Sequence, residues 1–137
     1  MTRRKPKGSA QLAVAYLRVS TEDQRLGPEA QRAAIVAWAE RAGVTVAAWH
    51  TDRGVSGSAV VKDRPGLVAA LGELRAIKAG MFVVAKRDRL ARDVGIACVI
   101  ELEVERSGAV IVAADGNGNG TDPSGVFMRR LQDGSAE

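Results

Sequence analysis

The chain has 137 residues, a length sufficient for one packed domain and too short for two. Hydrophobic residues make up 46% of it and aromatic residues only 4%, so we expect a core of small aliphatic side chains. Its net charge of +4 favours an anionic partner, of which nucleic acid is the commonest. No apolar run reaches the roughly 20 residues of a membrane span, and no apolar stretch follows the basic N-terminus. We therefore expect a cytoplasmic protein without a membrane partner.

Basic residues crowd the N-terminus, and apolar periodicity begins only at Leu12. Residues 1–11 are therefore predicted to form a disordered basic arm, either a solubilising tail or a DNA contact. Beyond this arm, apolar runs alternate with stretches typical of helices. The runs predict strands at residues 12–17, 44–49, 81–85 and 109–114.

Glycines and prolines mark the boundaries between these elements. A glycine stands where a helix is expected to end and a strand to begin, at Gly43, Gly80 and Gly108. Prolines predict the starts of helices, at Pro28, Pro65 and Pro123. The alternation predicts an α/β fold with a mainly parallel central sheet of four to five strands and helices on both faces.

Two stretches rich in Gly, Ser and Asn interrupt this order, at residues 52–63 and 115–122. Each follows a predicted strand, at the position where α/β proteins commonly bind ligands. They are either mobile active-site loops or ordinary surface connections.

Few residues in the sequence could bind a metal or form a disulfide. The chain has one cysteine, Cys98, and one histidine, His50. A single cysteine excludes an intrachain disulfide and fits a reducing compartment, and this pair cannot assemble a zinc-type ligand set. We expect no transition metal and no cofactor, with Cys98 on the core side of a helix and His50 in a loop or at a strand end.

The run YLRVST, residues 16–21, places a hydroxyl and an arginine at the end of the first strand. A serine is a weak nucleophile without a nearby base, and His50 is 30 residues from Ser20 in the sequence. Any chemistry at Ser20 must then depend on arginine. Guanidinium groups match phosphate oxygens in bidentate geometry, so the run favours phosphate chemistry over acyl transfer.

A second basic run, KRDRLAR at residues 86–92, follows the third predicted strand. A helix beginning near Leu90 would place Arg89 and Arg92 on one face and turn Leu90 inward. The carboxyl ends of parallel strands share one edge of a sheet, so this run could converge with Ser20. A solvated surface is the alternative interpretation.

Together these motifs resemble, in order and spacing, the catalytic domain of the serine recombinases, the resolvase and invertase family. The resemblance covers about residues 12–131. It rests on YLRVST with Gln24, on Glu29-Ala30-Gln31, on DRPGL from residue 63 and on AKRDRLAR from residue 85.

The resemblance implies a role for particular residues. Ser20 would attack a DNA phosphodiester, forming a 5′-phosphoserine link and releasing a 3′-hydroxyl. The side chains around that phosphate would be Arg18, Arg64, Arg89 and Arg92. Asp88 would orient these arginines or relay the proton of the leaving group. Gln31 would be a supporting polar residue, with a surface position on a helix as the alternative.

The resemblance also implies partners and domain boundaries. Residues 12–137 would form the catalytic domain, ending early in a long dimerisation helix that starts within residues 124–132, with no DNA-binding domain. DNA would be the partner, at the nucleoid. A homodimer, and a tetramer in the synapse, are expected for the full-length family and are weakened here by the short final helix.

Two other functions fit the same sequence. The chain could be a truncated, non-catalytic partner that regulates full-length recombinases, as the short final helix suggests. It could also be a different arginine-rich phosphate enzyme or a nucleotide-binding α/β domain.

Overall fold

Parallel strands form a single four-stranded sheet in the order β2-β1-β3-β4 in a computed structural model, which describes residues 8–20, 27–117 and 119. The strands are β1 (Ser9–Val19), β2 (Thr45–Arg53), β3 (Ala79–Val84) and β4 (Val110–Ala113). The helices are α1 (Pro28–Ala42), α2 (Pro65–Ile77) and α3 (Val94–Arg106). Short 3₁₀ helices span Val61–Asp63 and Arg87–Arg89. The predicted α/β fold with a parallel sheet is confirmed.

β1 is a central strand whose side chains alternate between two hydrophobic cores, because successive residues of a strand face opposite sides of the sheet. One core contains Ala13, Ala15 and Leu17 of β1 with Ile35 of α1. The other contains Val14 and Tyr16 of β1 with residues of α2 and α3. Helices therefore cover both faces, as the sequence predicts.

The boundaries of α1 and α2 lie close to the proline signals. α1 begins at Pro28 and ends before Gly43, which adopts a left-handed conformation with φ of 70°. α2 begins at Pro65 but ends at Ile77, where Lys78 takes the left-handed position with φ of 55°. The sequence predicts that Gly80 ends this helix, but Gly80 is instead part of β3. A Cβ at Gly80 would overlap the backbone carbonyl of Ser9, so glycine here allows β1 and β3 to start side by side.

The first strand begins at Ser9, so part of the predicted basic arm belongs to the sheet. The backbone N–H of Ser9 donates to the Lys78 carbonyl at 2.9 Å, and the N–H of Gly8 donates to the Gly108 carbonyl at 2.9 Å. Backbone pairing thus extends β1 over residues 9–11, which have no apolar pattern that would predict a strand. Residues 1–7 lie outside the described part of the chain, as does the helix predicted at Pro123.

The third helix differs from its prediction in start and in register. It begins at Val94, not near Leu90, because the Asp93 side chain accepts the N–H of Ile96 at 3.0 Å and caps the helix there. Ile100 faces the sheet, and Cys98, two positions earlier, is exposed. The predicted core position of Cys98 is therefore wrong. Among the helices described, none is long and apolar enough to cross a membrane.

Candidate active site

Ser20 lies directly after β1, at the carboxyl edge of the sheet, and only 7% of its surface is exposed. Two neighbouring segments leave the sheet at the same edge. The β2–α2 loop comprises residues 54–60, and the β3–α3 segment comprises residues 85–93. Both segments approach the end of β1 because all four strands are parallel and end at the same edge of the sheet.

Arg18 connects β1 to both of these segments. Its side chain is fully buried. Nε donates to the Arg89 carbonyl at 2.9 Å, and Nη2 donates to the Asp88 carbonyl at 3.2 Å. Nη1 donates to the Val55 carbonyl of the β2–α2 loop at 2.8 Å. The second basic run therefore meets β1 at Arg18, two residues before Ser20.

Arg64 makes a similar set of contacts from the start of α2. It too is fully buried, and its Nε donates to the Ala59 carbonyl at 3.0 Å. Nη2 donates to the Gly57 carbonyl at 3.0 Å, and Nη1 donates to the Leu90 carbonyl. Arg64 therefore joins the β2–α2 loop to the β3–α3 segment.

These carbonyl contacts satisfy hydrogen bonds without cancelling charge. Burial lowers the pKa of the Arg18 guanidinium, and the positive charges of Arg89, Arg64 and Arg92 lower the same pKa further. Mutual repulsion of this kind is relieved when an anion binds. The arginine cluster (Arg18, Arg64, Arg89 and Arg92) is therefore electrostatically suited to a phosphate group.

The other members of the second basic run differ in exposure. Arg89 is buried, and its Nε lies 3.4 Å from Asp88 Oδ1. The Asp88 side chain is 62% exposed, and Arg92 is exposed. Leu90 is buried, as predicted, although it belongs to a turn rather than to a helix. The segment thus offers both a fixed guanidinium and an accessible one.

Gln31 lies at the base of the site, on α1. It is fully buried, and its Nε2 donates to the backbone carbonyl of Arg18 at 3.1 Å. The alternative of a surface position is therefore wrong. Gln31 fixes the backbone of β1 two residues before Ser20.

Asp52 is a further residue of this region that the sequence analysis assigned to a flexible loop. It is buried at the end of β2. Its Oδ1 accepts the N–H of Gly66 at 2.7 Å, and its Oδ2 accepts the N–H of Leu67 at 2.9 Å and the Tyr16 hydroxyl at 2.8 Å. Asp52 therefore caps α2 and fixes the helix start that carries Arg64.

A signal for Asp52 exists in the sequence, but it is weak. α2 begins at Pro65, and the residue before it is Arg64, whose side chain makes no capping hydrogen bond. A helix start without a local cap requires an acceptor from elsewhere. Which acceptor supplies it cannot be read from sequence spacing.

His50 and the second Gly-rich stretch lie apart from this arrangement. His50 belongs to β2, not to a loop, because β2 extends to Arg53, and its Nε2 lies 3.3 Å from Glu73 Oε1 of α2. Asn119 forms two hydrogen bonds of 2.8 Å with the backbone of Ala113, at the end of β4. Within the described ranges, no group of three or more His, Cys, Asp or Glu side chains could hold a metal ion.

A cavity of about 520 Å³ lies beside the β3–α3 segment. It extends from the basic run toward α3 and β4. Its walls include Arg87, Asp88, Arg89, Arg92, Glu101 and Ile111. The cavity therefore adjoins the arginine cluster, and its wall formed by the β3–α3 segment carries mostly charged side chains.

A cluster of arginines at the carboxyl edge of a parallel sheet, with Ser20 two residues after Arg18, defines an α/β domain electrostatically suited to binding a phosphate group. The family model of the resolvase N-terminal domain matches residues 13–137. The chain therefore belongs to the resolvase family and has the catalytic-domain fold of the serine recombinases.

Solved structures share this fold. The N-terminal catalytic domain of TP901-1 integrase is 20% identical over 90% of this chain and 92% of that chain, with a TM-score of 0.74. The C-terminal catalytic domain of ISC1926 TnpA, an IS607-like serine recombinase, is 26% identical over 77% of this chain and 72% of that chain, with a TM-score of 0.65. A resolvase family site-specific recombinase from Streptococcus pneumoniae is 18% identical over 89% and 85%, with a TM-score of 0.64. No curated protein sequence matches.

Proposed function

We propose that this chain is the catalytic domain of a site-specific DNA recombinase in which Ser20 is the nucleophile. The Ser20 Oγ–P bond forms while the bond between phosphorus and the 3′ oxygen breaks, so the serine loses a proton and the leaving oxygen gains one. The products are a 5′-phosphoserine ester and a free 3′-hydroxyl. Attack by a 3′-hydroxyl of another strand reverses the step and rejoins the DNA in a new arrangement.

The observation that carries this proposal is the arginine cluster at the end of β1. Residues two apart on a strand face the same side of the sheet. Continuing β1 by one residue would therefore direct Ser20 toward the side of Arg18. A phosphate at Ser20 would lie among guanidinium groups delivered by β1, the start of α2 and the β3–α3 segment.

The geometry also supports a division of labour among the arginines. Attack on a phosphodiester places negative charge on the non-bridging oxygens, and donors held in place beforehand stabilise that charge at little reorganisation cost. Arg18 and Arg64 are held by backbone carbonyls and supply fixed positive charge. Arg92 is exposed and supplies a guanidinium that an incoming DNA phosphate can reach.

The supporting residues have corresponding roles. Asp88 orients Arg89 through the contact between Oδ1 and Nε, and it is exposed enough to exchange the leaving-group proton with solvent. Gln31 holds the backbone of Arg18. In this proposal DNA is the partner, assembly of the whole recombinase is homo-oligomeric, and the site of action is the intracellular DNA.

A DNA substrate with a sulfur in place of the bridging 3′ oxygen tests the proposal, because the thiol leaves readily but rejoins slowly. A duplex pool of random sequence with one such link avoids any assumption about the recombination site. We expect a covalent protein–DNA adduct on a denaturing gel with the wild-type chain. Ser20→Ala abolishes it, because no oxygen remains to form the ester.

Ser107→Ala is the matched control, since Ser107 lies at the end of α3 and its hydroxyl donates to the Glu103 carbonyl at 2.9 Å, at the opposite edge of the sheet. It should form the adduct at the wild-type rate. An equal yield of adduct from Ser20→Ala would refute Ser20 as the nucleophile. Absence of adduct with the wild-type chain at saturating DNA would refute cleavage by this domain.

A further inference from the structure

Gly57, in the middle of the β2–α2 loop, is buried against the arginine cluster. Its carbonyl oxygen accepts two hydrogen bonds. One comes from Arg64 Nη2 at 3.0 Å and the other from the backbone N–H of Arg92 at 3.1 Å. A single peptide group therefore couples the start of α2 to the segment that carries Arg92.

The missing side chain of Gly57 matters as much as its carbonyl. A Cβ at this position would lie 2.8 Å from Arg92 Cγ, 3.2 Å from the Arg92 backbone N and 3.3 Å from Arg18 Nη2. The first distance is too short for carbon atoms in contact, which require about 3.5 Å or more. Two members of the cluster thus occupy the space that any other residue would fill.

Backbone freedom does not explain this glycine. The glycines with positive φ among the described residues are Gly43, Gly54, Gly108 and Gly116. Gly57 is not one of them, so its φ does not require glycine. The requirement for glycine is steric, and the groups that impose it are the two arginines.

We infer that Gly57 is a positioning residue that sets where Arg92 lies relative to Arg18. This inference deepens the proposed function and rests on it, because Arg92 is the guanidinium that reaches the DNA phosphate. Gly57 does not touch the phosphate itself. It acts by allowing the β2–α2 loop to close against Arg92 and by holding that closure through its carbonyl.

The substitution Gly57→Ala tests the inference. The new methyl group pushes Arg92 away from its position, and a displacement of about 1 Å at a catalytic group costs on the order of 10²-fold in rate. We expect this loss in the rate of adduct formation at saturating DNA. Gly72→Ala is the matched control, because a Cβ at Gly72 of α2 meets nothing within 4 Å. It should retain the wild-type rate.

A double-mutant cycle separates a positioning role from general damage to the fold. Arg92→Ala removes the Cγ atom that a Cβ at Gly57 would meet. If Gly57 acts through Arg92, then adding Gly57→Ala to Arg92→Ala lowers the rate little further. If the double variant instead loses rate by the product of the two single-variant losses, the inference is overturned. If Gly57→Ala alone does not fold, the double variant with Arg92→Ala should fold, because the side chain that the new methyl group would meet is gone. If neither variant folds, the new methyl group clashes with the backbone and not with the Arg92 side chain, and the inference is overturned.

A measurement that does not require cleavage distinguishes failure of this inference from failure of the proposed function. The Nε–H resonances of Arg18 and Arg92 report their surroundings, and inorganic phosphate serves as a probe of the cluster. In Gly57→Ala we expect both resonances to move and the phosphate dissociation constant to rise. In Gly72→Ala both should remain as in the wild type. Unchanged arginine resonances in Gly57→Ala would overturn the inference whether or not the wild type cleaves DNA.

Discussion

The hydrogen bond between the Tyr16 hydroxyl and Asp52 predicts a specific loss of stability at alkaline pH. Tyr16 is fully buried, and its hydroxyl donates to Asp52 Oδ2 at 2.8 Å. Burial raises the pKa of the Tyr16 hydroxyl above its ordinary value of about 10, and the hydrogen bond to the charged Asp52 raises that pKa further. The folded protein therefore keeps this proton at a pH where the unfolded chain loses it.

The sign and size of the effect follow from this difference. Below pH of about 10 both states carry the proton, and the pKa shift does not change stability. Above this pH the free energy of unfolding falls by about 1.4 kcal/mol for each pH unit, until the pKa of Tyr16 in the folded protein is reached. At pH 11 the free energy of unfolding should therefore be about 1.4 kcal/mol lower than at pH 9 from Tyr16 alone.

Urea unfolding at several pH values measures this loss, and Tyr16→Phe isolates it. Other groups titrate in both proteins, so the difference between their pH profiles belongs to Tyr16. Tyr16 is also the only tyrosine in the chain, so tyrosinate absorbance reports its ionisation directly. We expect Asp52→Asn to lower the pKa of Tyr16 without restoring its ordinary value, since burial remains. Ionisation of Tyr16 near pH 10 in the folded wild type, with parallel stability profiles for Tyr16→Phe, would refute the reasoning.

Two further substitutions test local features of the fold by urea unfolding. Asp93→Ala removes the side chain that accepts the N–H of Ile96 at the start of α3, and it should cost about 1 kcal/mol; no loss would mean that α3 needs no cap. Gly66→Ala would place a Cβ 2.7 Å from the carbonyl oxygen of Thr51, and it should cost about 1–3 kcal/mol. Gly72→Ala, with open space around its Cβ, should instead gain up to about 1 kcal/mol, and equal effects of the two would contradict the close approach at Gly66.

Much of the sheet was predictable because its signals are local. The apolar runs predict all four strands to within a few residues. In β1, β3 and β4 burial on both faces leaves little choice of side chain, whereas the edge strand β2 is only partly buried. Pro28 and Pro65 mark the starts of helices because a proline loses nothing at the first helical position. The meeting of Arg18 with the β3–α3 segment follows from topology alone, because parallel strands end at one edge.

The parts that could not be predicted depend on residues far apart in the sequence. Asp52 looks like the start of a polar loop until α2 is seen to begin beside it, at Gly66. Gly57 looks like one flexible residue among several until Arg92 is found against it. The exposed position of Cys98 depends on where α3 begins, and that start is set by a cap rather than by the apolar pattern.

The site illustrates the same distinction. The family resemblance of the sequence predicts that Arg18 and Arg64 lie near a phosphate. The structure shows that both guanidinium groups also hold the site together through backbone carbonyls of the β2–α2 loop and the β3–α3 segment. Substituting either arginine would therefore change both charge and architecture, and loss of activity in such variants does not separate the two. Arg92, with an exposed side chain, is the better position for isolating charge.

The central claim is that Ser20 forms the covalent bond to DNA. Mass spectrometry of the adduct, after digestion by nuclease and protease, identifies the attached residue and the end of the DNA that it holds. We expect a nucleotide linked through its 5′ phosphate to Ser20 Oγ, with a free 3′ end on the released strand. A link to any other residue, or through a 3′ phosphate, would contradict the account.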